Sequence, residues 1–274
     1  MIQPKENLIL STSNSKIKRV VALQEKHSLR VQQNCFVVEG VRELLSCIQN
    51  DFAIETLFFC SQIIQEELLF PFTNGLDKNA IWEVSENVYQ RIAYRSGSEG
   101  VIAIVRSKFL SLDEIKFINP NQLIIVAEGV EKPGNLGAIL RTADAVGADA
   151  VLFCNCSTDL YNPNLIRASL GGVFTQQIVC CSSNKAIEWL KSNNIKIFTA
   201  QLQDSDYYYN TDMVHSCAIV VGSEADGLSQ LWREASDEKI LIPMQGQLDS
   251  LNVSISTAIL CYEALRQRNK DKLK

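Results

Sequence analysis

The sequence predicts an α/β protein in two parts, on three observations. From Gln122 onward, short apolar runs alternate with helical periodicity, the pattern of a parallel sheet covered by helices on both faces. Three loops rich in glycine and amide side chains each follow one of those runs. Before them lies a separate mixture of strand-like and helical segments, ended by the break Asn119-Pro120-Asn121. A chain of 274 residues, 46% hydrophobic and 21% charged, has ordinary globular usage and room for two modest cores. That composition excludes disorder as the main state, and 13 glycines with 6 prolines exclude a collagen-like chain.

The first part opens on a basic helix, in which Ile17, Val20 and Val21 fall at i, i+3 and i+4. Its other face carries Lys16, Arg19 and Lys26, with Arg30 soon after. Strand-like runs follow at 35–38, 54–59, 80–84 and 100–105, and helical stretches at 41–49, 62–69 and 85–93. Residues 1–106 therefore read as a small α/β domain and 107–121 as a linker. In the second part, 122–274, strands are expected at 123–127, 150–153, 177–179, 195–199, 218–221 and 240–242. The clearest helices are 136–146, 185–192 and 254–268, the last expected to bury Ile255, Ile259, Tyr262 and Leu265. Ligand sites in such sheets lie beyond the C-terminal strand ends.

The opening Met1-Ile2-Gln3-Pro4-Lys5-Glu6 carries no basic stretch leading into a long apolar one, so no secretory leader is expected. No run has the length of a membrane span. A cytoplasmic protein with reduced thiols follows. The nine cysteines lack the paired spacing of zinc ligands, and His27 and His215 stand without neighbouring ligand patterns, so no metal is expected.

Each of the three loops has a plain reading and a functional one. In Glu128-Gly129-Val130-Glu131-Lys132-Pro133-Gly134-Asn135-Leu136-Gly137, the helix that follows buries Leu136, Ile139, Leu140 and Ala143, leaving Arg141 off the stripe. The loop is a strand–helix turn, or a cradle of free N–H groups for an anion. It is not G-x-G-x-x-G, and Asp149 precedes the next strand instead of ending it, which ranks a dinucleotide enzyme low. In Gly222-Ser223-Glu224-Ala225-Asp226-Gly227-Leu228, the carboxylates cap a helix starting near Leu228, or orient a ribose or an amine. In the third loop, from Ile242-Pro243-Met244 to Ser250-Leu251-Asn252-Val253-Ser254, Ser250 and Asn252 are good helix caps. Three such loops at strand ends of one sheet suggest a shared pocket.

Asn135-x-Gly137-x-x-x-Arg141-Thr142-Ala143, Gly222-Ser223-Glu224-x-x-Gly227-Leu228 and Ile242-Pro243-Met244…Ser250-Leu251-Asn252-Val253-Ser254 resemble the three ordered motifs of the SpoU (TrmH-like) RNA ribose 2′-O-methyltransferases. Arg167-Ala168-Ser169-x-Gly171 and the Tyr262-Glu263-x-x-Arg266-Gln267 ending are similar to that family as well. Phe36-Val37-Val38-Glu39-Gly40-Val41-Arg42-Glu43 resembles its ribosomal-protein-like N-terminal RNA-binding domain.

The resemblance implies a SPOUT α/β-knot, a deep trefoil knot in the C-terminal domain, and a homodimer built through that domain. It implies S-adenosylmethionine as methyl donor, held by the backbone around Ala200, Gly222, Ile242 and Leu251. The catalytic set it implies is Arg141, Asn135, Glu224, Ser250 and Asn252. Structured RNA is the expected partner, ribosomal before transfer RNA, contacted through Lys16, Lys18, Arg19, Lys26 and Arg30. A catalytically silent RNA-binding member of the family is the alternative, opposed by the intact motif residues. The charge divides with the parts. Residues 1–110 hold 12 basic and 12 acidic side chains and residues 111–274 hold 14 and 19, so the net charge of −5 lies in the second part. Local basic contacts with RNA, and a shallow salt dependence, are expected.

Overall fold

The structure, a computed structural model, describes residues 7–94, 97 and 99–269. The Met1–Glu6 opening lies outside the described residues. By contacts the chain divides into two units, Met1–Lys108 with Asp159–Phe174, and Phe109–Thr158 with Thr175–Lys274.

In the first unit, five strands follow the apolar runs: β1 (Leu8–Ile9), β2 (Cys35–Glu39), β3 (Ile54–Phe59), β4 (Ile81–Val84) and β5 (Val101–Arg106). They form a mixed sheet in the order β1-β4-β3-β5-β2, with β5 antiparallel to both neighbours. The basic helix Ser15–Glu25 is capped by the Asn14 side chain and turns Ile17, Val20 and Leu23 into a core shared with Phe58, Val88, Tyr89 and Ile102. Residues 159–174 are drawn to this unit by aromatic and ionic contacts. Tyr161 stacks on Phe36 at 4.0 Å between centroids, and Arg30 Nε donates to Asp159 Oδ2 at 2.5 Å. The stretch 122–274, read from sequence as one domain, is thus interrupted by a piece that packs with the other unit.

The second unit holds β6 (Leu123–Glu128), β7 (Ala150–Cys154), β8 (Ile178–Cys181), β9 (Lys196–Ala200), β10 (Asp206–Tyr207), β11 (Cys217–Val221) and β12 (Glu238–Leu241). All pairs are parallel, in the order β10-β12-β9-β11-β6-β7-β8. Every residue of β6, β7 and β11 is buried, which is why these runs are apolar without alternation. The helix Pro133–Val146 starts on a proline, ends on Gly147 at φ +66°, and buries Leu136, Ile139, Leu140 and Ala143 as its spacing predicts. Asp149 accepts from the backbone N–H groups of Ile118, Asn119 and Leu123. It ties chain at the N-terminal edge of the sheet, away from the strand ends where a ribose would bind.

The last helix, Val253–Arg268, corrects the reading of its face. It buries Val253, Thr257, Leu260, Cys261 and Ala264, while Ile255 and Tyr262 are each 51% exposed. Two apolar stripes run along one helix, and periodicity alone selects neither. The nine cysteines are free thiols, six of them buried, and no helix among the described residues is long and apolar enough to cross a membrane.

Candidate active site

The C-terminal ends of β9, β11 and β12 open into a cavity of about 350 Å³. Ala200, Gly222, Ile242 and Leu251, the four residues expected around a cofactor, all line it, with Leu228, Leu241 and Val253 adding apolar wall. The loop between Gly222 and Gly227 folds back so tightly that a Cβ on Gly222 would stand 2.2 Å from the Gly227 carbonyl carbon, so only glycine fits there. Apolar walls with backbone N–H and C=O groups at strand ends suit a heteroaromatic ring with hydrogen-bonding edges, and the volume is that of a small-molecule site.

Three motif residues meet at the rim. Glu224 Oε1 accepts from Asn135 Nδ2 at 3.1 Å and from Asn252 Nδ2 at 2.8 Å, and its other oxygen accepts from Lys132 Nζ. Asn252 Nδ2 also donates to Asn135 Oδ1 at 3.1 Å. Asn252 also caps the last helix, accepting from Ser254 N at 3.0 Å, so one side chain both makes the cap and joins the rim cluster. Glu224 caps nothing; Ser229 stands at the N-cap of the helix Gln230–Ala235. Hydrogen bonds from Lys132 first, then Asn135, hold the Glu224 carboxyl below the usual carboxylate range. Ser250 lines the cavity and donates to Asp249 Oδ1 at 3.2 Å. Arg141 stands apart on the exposed face of its helix, with no hydrogen bond or ion pair among the described residues.

Behind the rim lies a carboxylate that sequence reasoning left without a role. Glu128 ends the apolar strand β6 and is 6% exposed. Its Oε1 accepts from Ser183 Oγ and Ser229 Oγ, and its Oε2 from Ser229 N, all at 2.8 Å. Ser183 Oγ in turn accepts from Trp232 Nε1 and Asn155 Nδ2, each at 2.9 Å. The carboxylate fixes Ser229, and with it the exit of the 222–228 loop that walls the cavity. A lone acid closing an otherwise apolar strand was the available signal. Lys132 was also missed; its place one residue before Pro133, at the helix start, was the only hint.

The basic residues of the first unit separate into two kinds. Lys18 and Lys26 are exposed, and Lys16 lies over the Trp82 ring at 4.6 Å. Arg19 is tied to Glu55 at 2.5 Å and to Gln33 at 2.7 Å. Arg30 departs from expectation: it is 5% exposed, and besides Asp159 its guanidinium donates to the Leu23 and Gln24 carbonyls at 2.5 and 3.1 Å. Those bonds hold it in the unit's interior, out of reach of a phosphate.

Residues 122–262 match the model of the SpoU rRNA Methylase family, just over half of the chain. The chain belongs to the SpoU rRNA methylase family. Residues 14–103 match an MRM3-like substrate binding domain. The chain is similar to the 23S rRNA (guanosine(2553)-2′-O)-methyltransferase RlmP of Bacillus subtilis, 26% identical over 93% of this chain and 97% of that protein. It is 33% identical to the 23S rRNA (guanosine-2′-O-)-methyltransferase RlmB of Bordetella pertussis, over 62% of this chain and 71% of the relative. Among solved structures, an RNA 2′-O ribose methyltransferase superposes with TM-score 0.82 at 39% identity, covering 95% and 99% of the two chains. An AdoMet-bound rRNA methyltransferase from Sinorhizobium meliloti superposes with TM-score 0.85 at 27% identity, covering 94% and 97%. In this SpoU member Asn135, Glu224 and Asn252, one from each motif, meet at the cavity rim with Lys132, while Arg141 stands apart.

Proposed function

We propose that this protein transfers a methyl group from S-adenosylmethionine to a ribose 2′-hydroxyl of ribosomal RNA. The observation that carries the reading is one continuous site: a ring-sized cavity at three strand ends, with the Asn135–Glu224–Asn252 cluster on its rim. Relatives matched over more than nine-tenths of the chain are named as enzymes of 23S rRNA, which favours ribosomal over transfer RNA.

When bound, S-adenosylmethionine would supply an electrophilic methyl to the ribose 2′-oxygen, leaving S-adenosylhomocysteine, with the hydroxyl proton released to solvent water. The protein's task is alignment, a large part of the acceleration in reactions of this kind. Glu224, held ionised by Lys132 and the two amides, is a weak base and a strong hydrogen-bond acceptor; it orients the hydroxyl more than it deprotonates it. Asn135 and Asn252 fix Glu224, and Ser250 completes the wall. Arg141 presents an unpaired guanidinium, which is too weak a base to take a proton but is well shaped to hold a phosphate through two parallel bonds.

Three further features belong to this reading. The cavity belongs to a trefoil-knotted SPOUT domain, a reading supported by the motif order in the sequence. Two copies pair as a homodimer in this reading, and the exposed stripe of Ile255 and Tyr262 on the last helix is an apolar surface suited to that contact. Lys16, Lys18 and Lys26 form the phosphate-contacting set on the first unit, with Arg19 tethered at its margin. The protein works in the cytoplasm, where its thiols stay reduced. The test is transfer of labelled methyl from S-adenosylmethionine to ribosomal and transfer RNA in parallel. Ribose-specific label in ribosomal RNA supports the reading, and label on bases, or none, overturns it.

A further inference from the structure

The cavity contains a cation for which neither the motifs nor the family resemblance supplies a use. Among the residues lining it, three carry carboxylates, Glu224, Asp226 and Asp249, and one carries a positive charge, Arg233. Arg233 lies on the helix Gln230–Ala235, whose start is pinned by Ser229 on Glu128 and whose Trp232 is fully buried. Its backbone is therefore fixed from two sides. Its Nε donates to the Leu228 carbonyl at 3.0 Å, which sets the guanidinium plane against the loop. Nη2 lies 3.8 Å from where a Cβ on Gly227 would stand. Among the described residues, no hydrogen bond or ion pair occupies Nη1 or Nη2. A half-buried guanidinium, locked at one nitrogen and open at the other two, is a preorganised fork for a planar anion.

We propose that Arg233 anchors the α-carboxylate of the methyl donor's amino-acid tail, a proposal that rests on reading this cavity as the S-adenosylmethionine site. The carboxylate is the donor's one anionic group, and the fork geometry matches it through two parallel N–H···O bonds. The cavity's other charged side chains include Asp226 and Asp249, whose sign suits the ammonium and sulfonium of the same ligand. With the tail fixed at one end and the ring at the other, the sulfonium methyl between them has a defined direction.

Calorimetry on the full-length protein tests this with three probes: S-adenosylmethionine, S-adenosylhomocysteine, and 5′-methylthioadenosine, which keeps the ring and sulfur but lacks the tail. Arg233→Ala is expected to weaken the first two about ten- to hundredfold, as loss of a charge-assisted pair does, and to leave the third unchanged. Arg233→Lys is expected to recover part of the loss, because it keeps the charge without the fork. Arg233→Gln and Arg233→Lys carry the same comparison if the alanine variant does not fold. Equal weakening of all three probes would mean that Arg233 only supports the loop, and overturns the proposal. So would unchanged binding of the two tailed probes with weaker RNA binding, since the anion would then be an RNA phosphate. If the unaltered protein binds none of the three, the assignment of the cavity itself fails, a result distinct from failure of the Arg233 comparison.

Discussion

Replacing Glu128 by alanine removes one acceptor group from three donors at once. Ser183 Oγ, 2.8 Å from the carboxylate, belongs to a residue only 2% exposed and already accepts from Trp232 and Asn155, so its proton has no other acceptor in place. A buried donor left without a partner costs about 1–3 kcal/mol. The Ser229 hydroxyl and N–H are only part-buried, and water entering the vacated space restores some of their bonding. The balance is a loss of about 2–4 kcal/mol, moderated because the alanine variant no longer keeps a charge out of water. For a unit of this size that is a fall in melting temperature of roughly 5–12 °C. Glu128→Gln is expected to lose about half as much. Either orientation of the amide satisfies one arm and sets an N–H against the other, since Ser183 Oγ already receives two donors and Ser229 offers an N–H of its own. Urea denaturation of both variants, followed by the signal of the buried Trp232, reads these differences. A Glu128→Ala protein within about 0.5 kcal/mol of the original would refute the view of Glu128 as the clamp on the loop.

Arg141→Lys is expected to slow single-turnover methylation about ten- to hundredfold while leaving S-adenosylmethionine affinity unchanged, because lysine keeps the charge and loses the two-pronged grip; near-native rates would reject the clamp. Ile255→Glu places a charge in the exposed stripe of the last helix, and sedimentation is expected to find a dimer for the original protein and a monomer for the variant; an unaltered mass would place any dimer contact elsewhere. Arg30→Ala removes one partner of a buried ion pair and is expected to cost about 3–5 kcal/mol. RNA affinity of the folded fraction should be unchanged, whereas Lys18→Ala with Lys26→Ala should weaken it without touching the melting curve.

Much of this was legible in the sequence, for identifiable reasons. The strands β6, β7 and β11 of the second sheet are buried along their whole length, so each is a nearly unbroken apolar run and stands out. The glycines of the cavity loop were legible because backbone crowding at Gly222 and a φ of +67° at Gly227 both favour that residue. Helix faces fared less well. The helix at Pro133–Val146 has one apolar stripe and was read correctly, but Val253–Arg268 is apolar on two sides, one facing the core and one facing outward. Contacts between residues distant in sequence were not legible at all. Nothing near Arg30 announces Asp159 as its partner, and nothing near Glu128 announces Ser183 and Ser229. The two-residue strands β1 and β10 are too short to carry a period.

The central claim is that the cavity and its polar rim deliver a methyl group to a ribose hydroxyl of ribosomal RNA. Incubating the purified protein with S-adenosylmethionine and unmodified ribosomal RNA, then mapping alkali-resistant linkages, tests it most directly, since a 2′-O-methyl blocks hydrolysis of the adjacent phosphodiester. The account predicts one or a few resistant positions, made by the unaltered protein and lost together in Glu224→Ala and Asn252→Ala. Methylation confined to bases, or resistant linkages that persist in both variants, would contradict it.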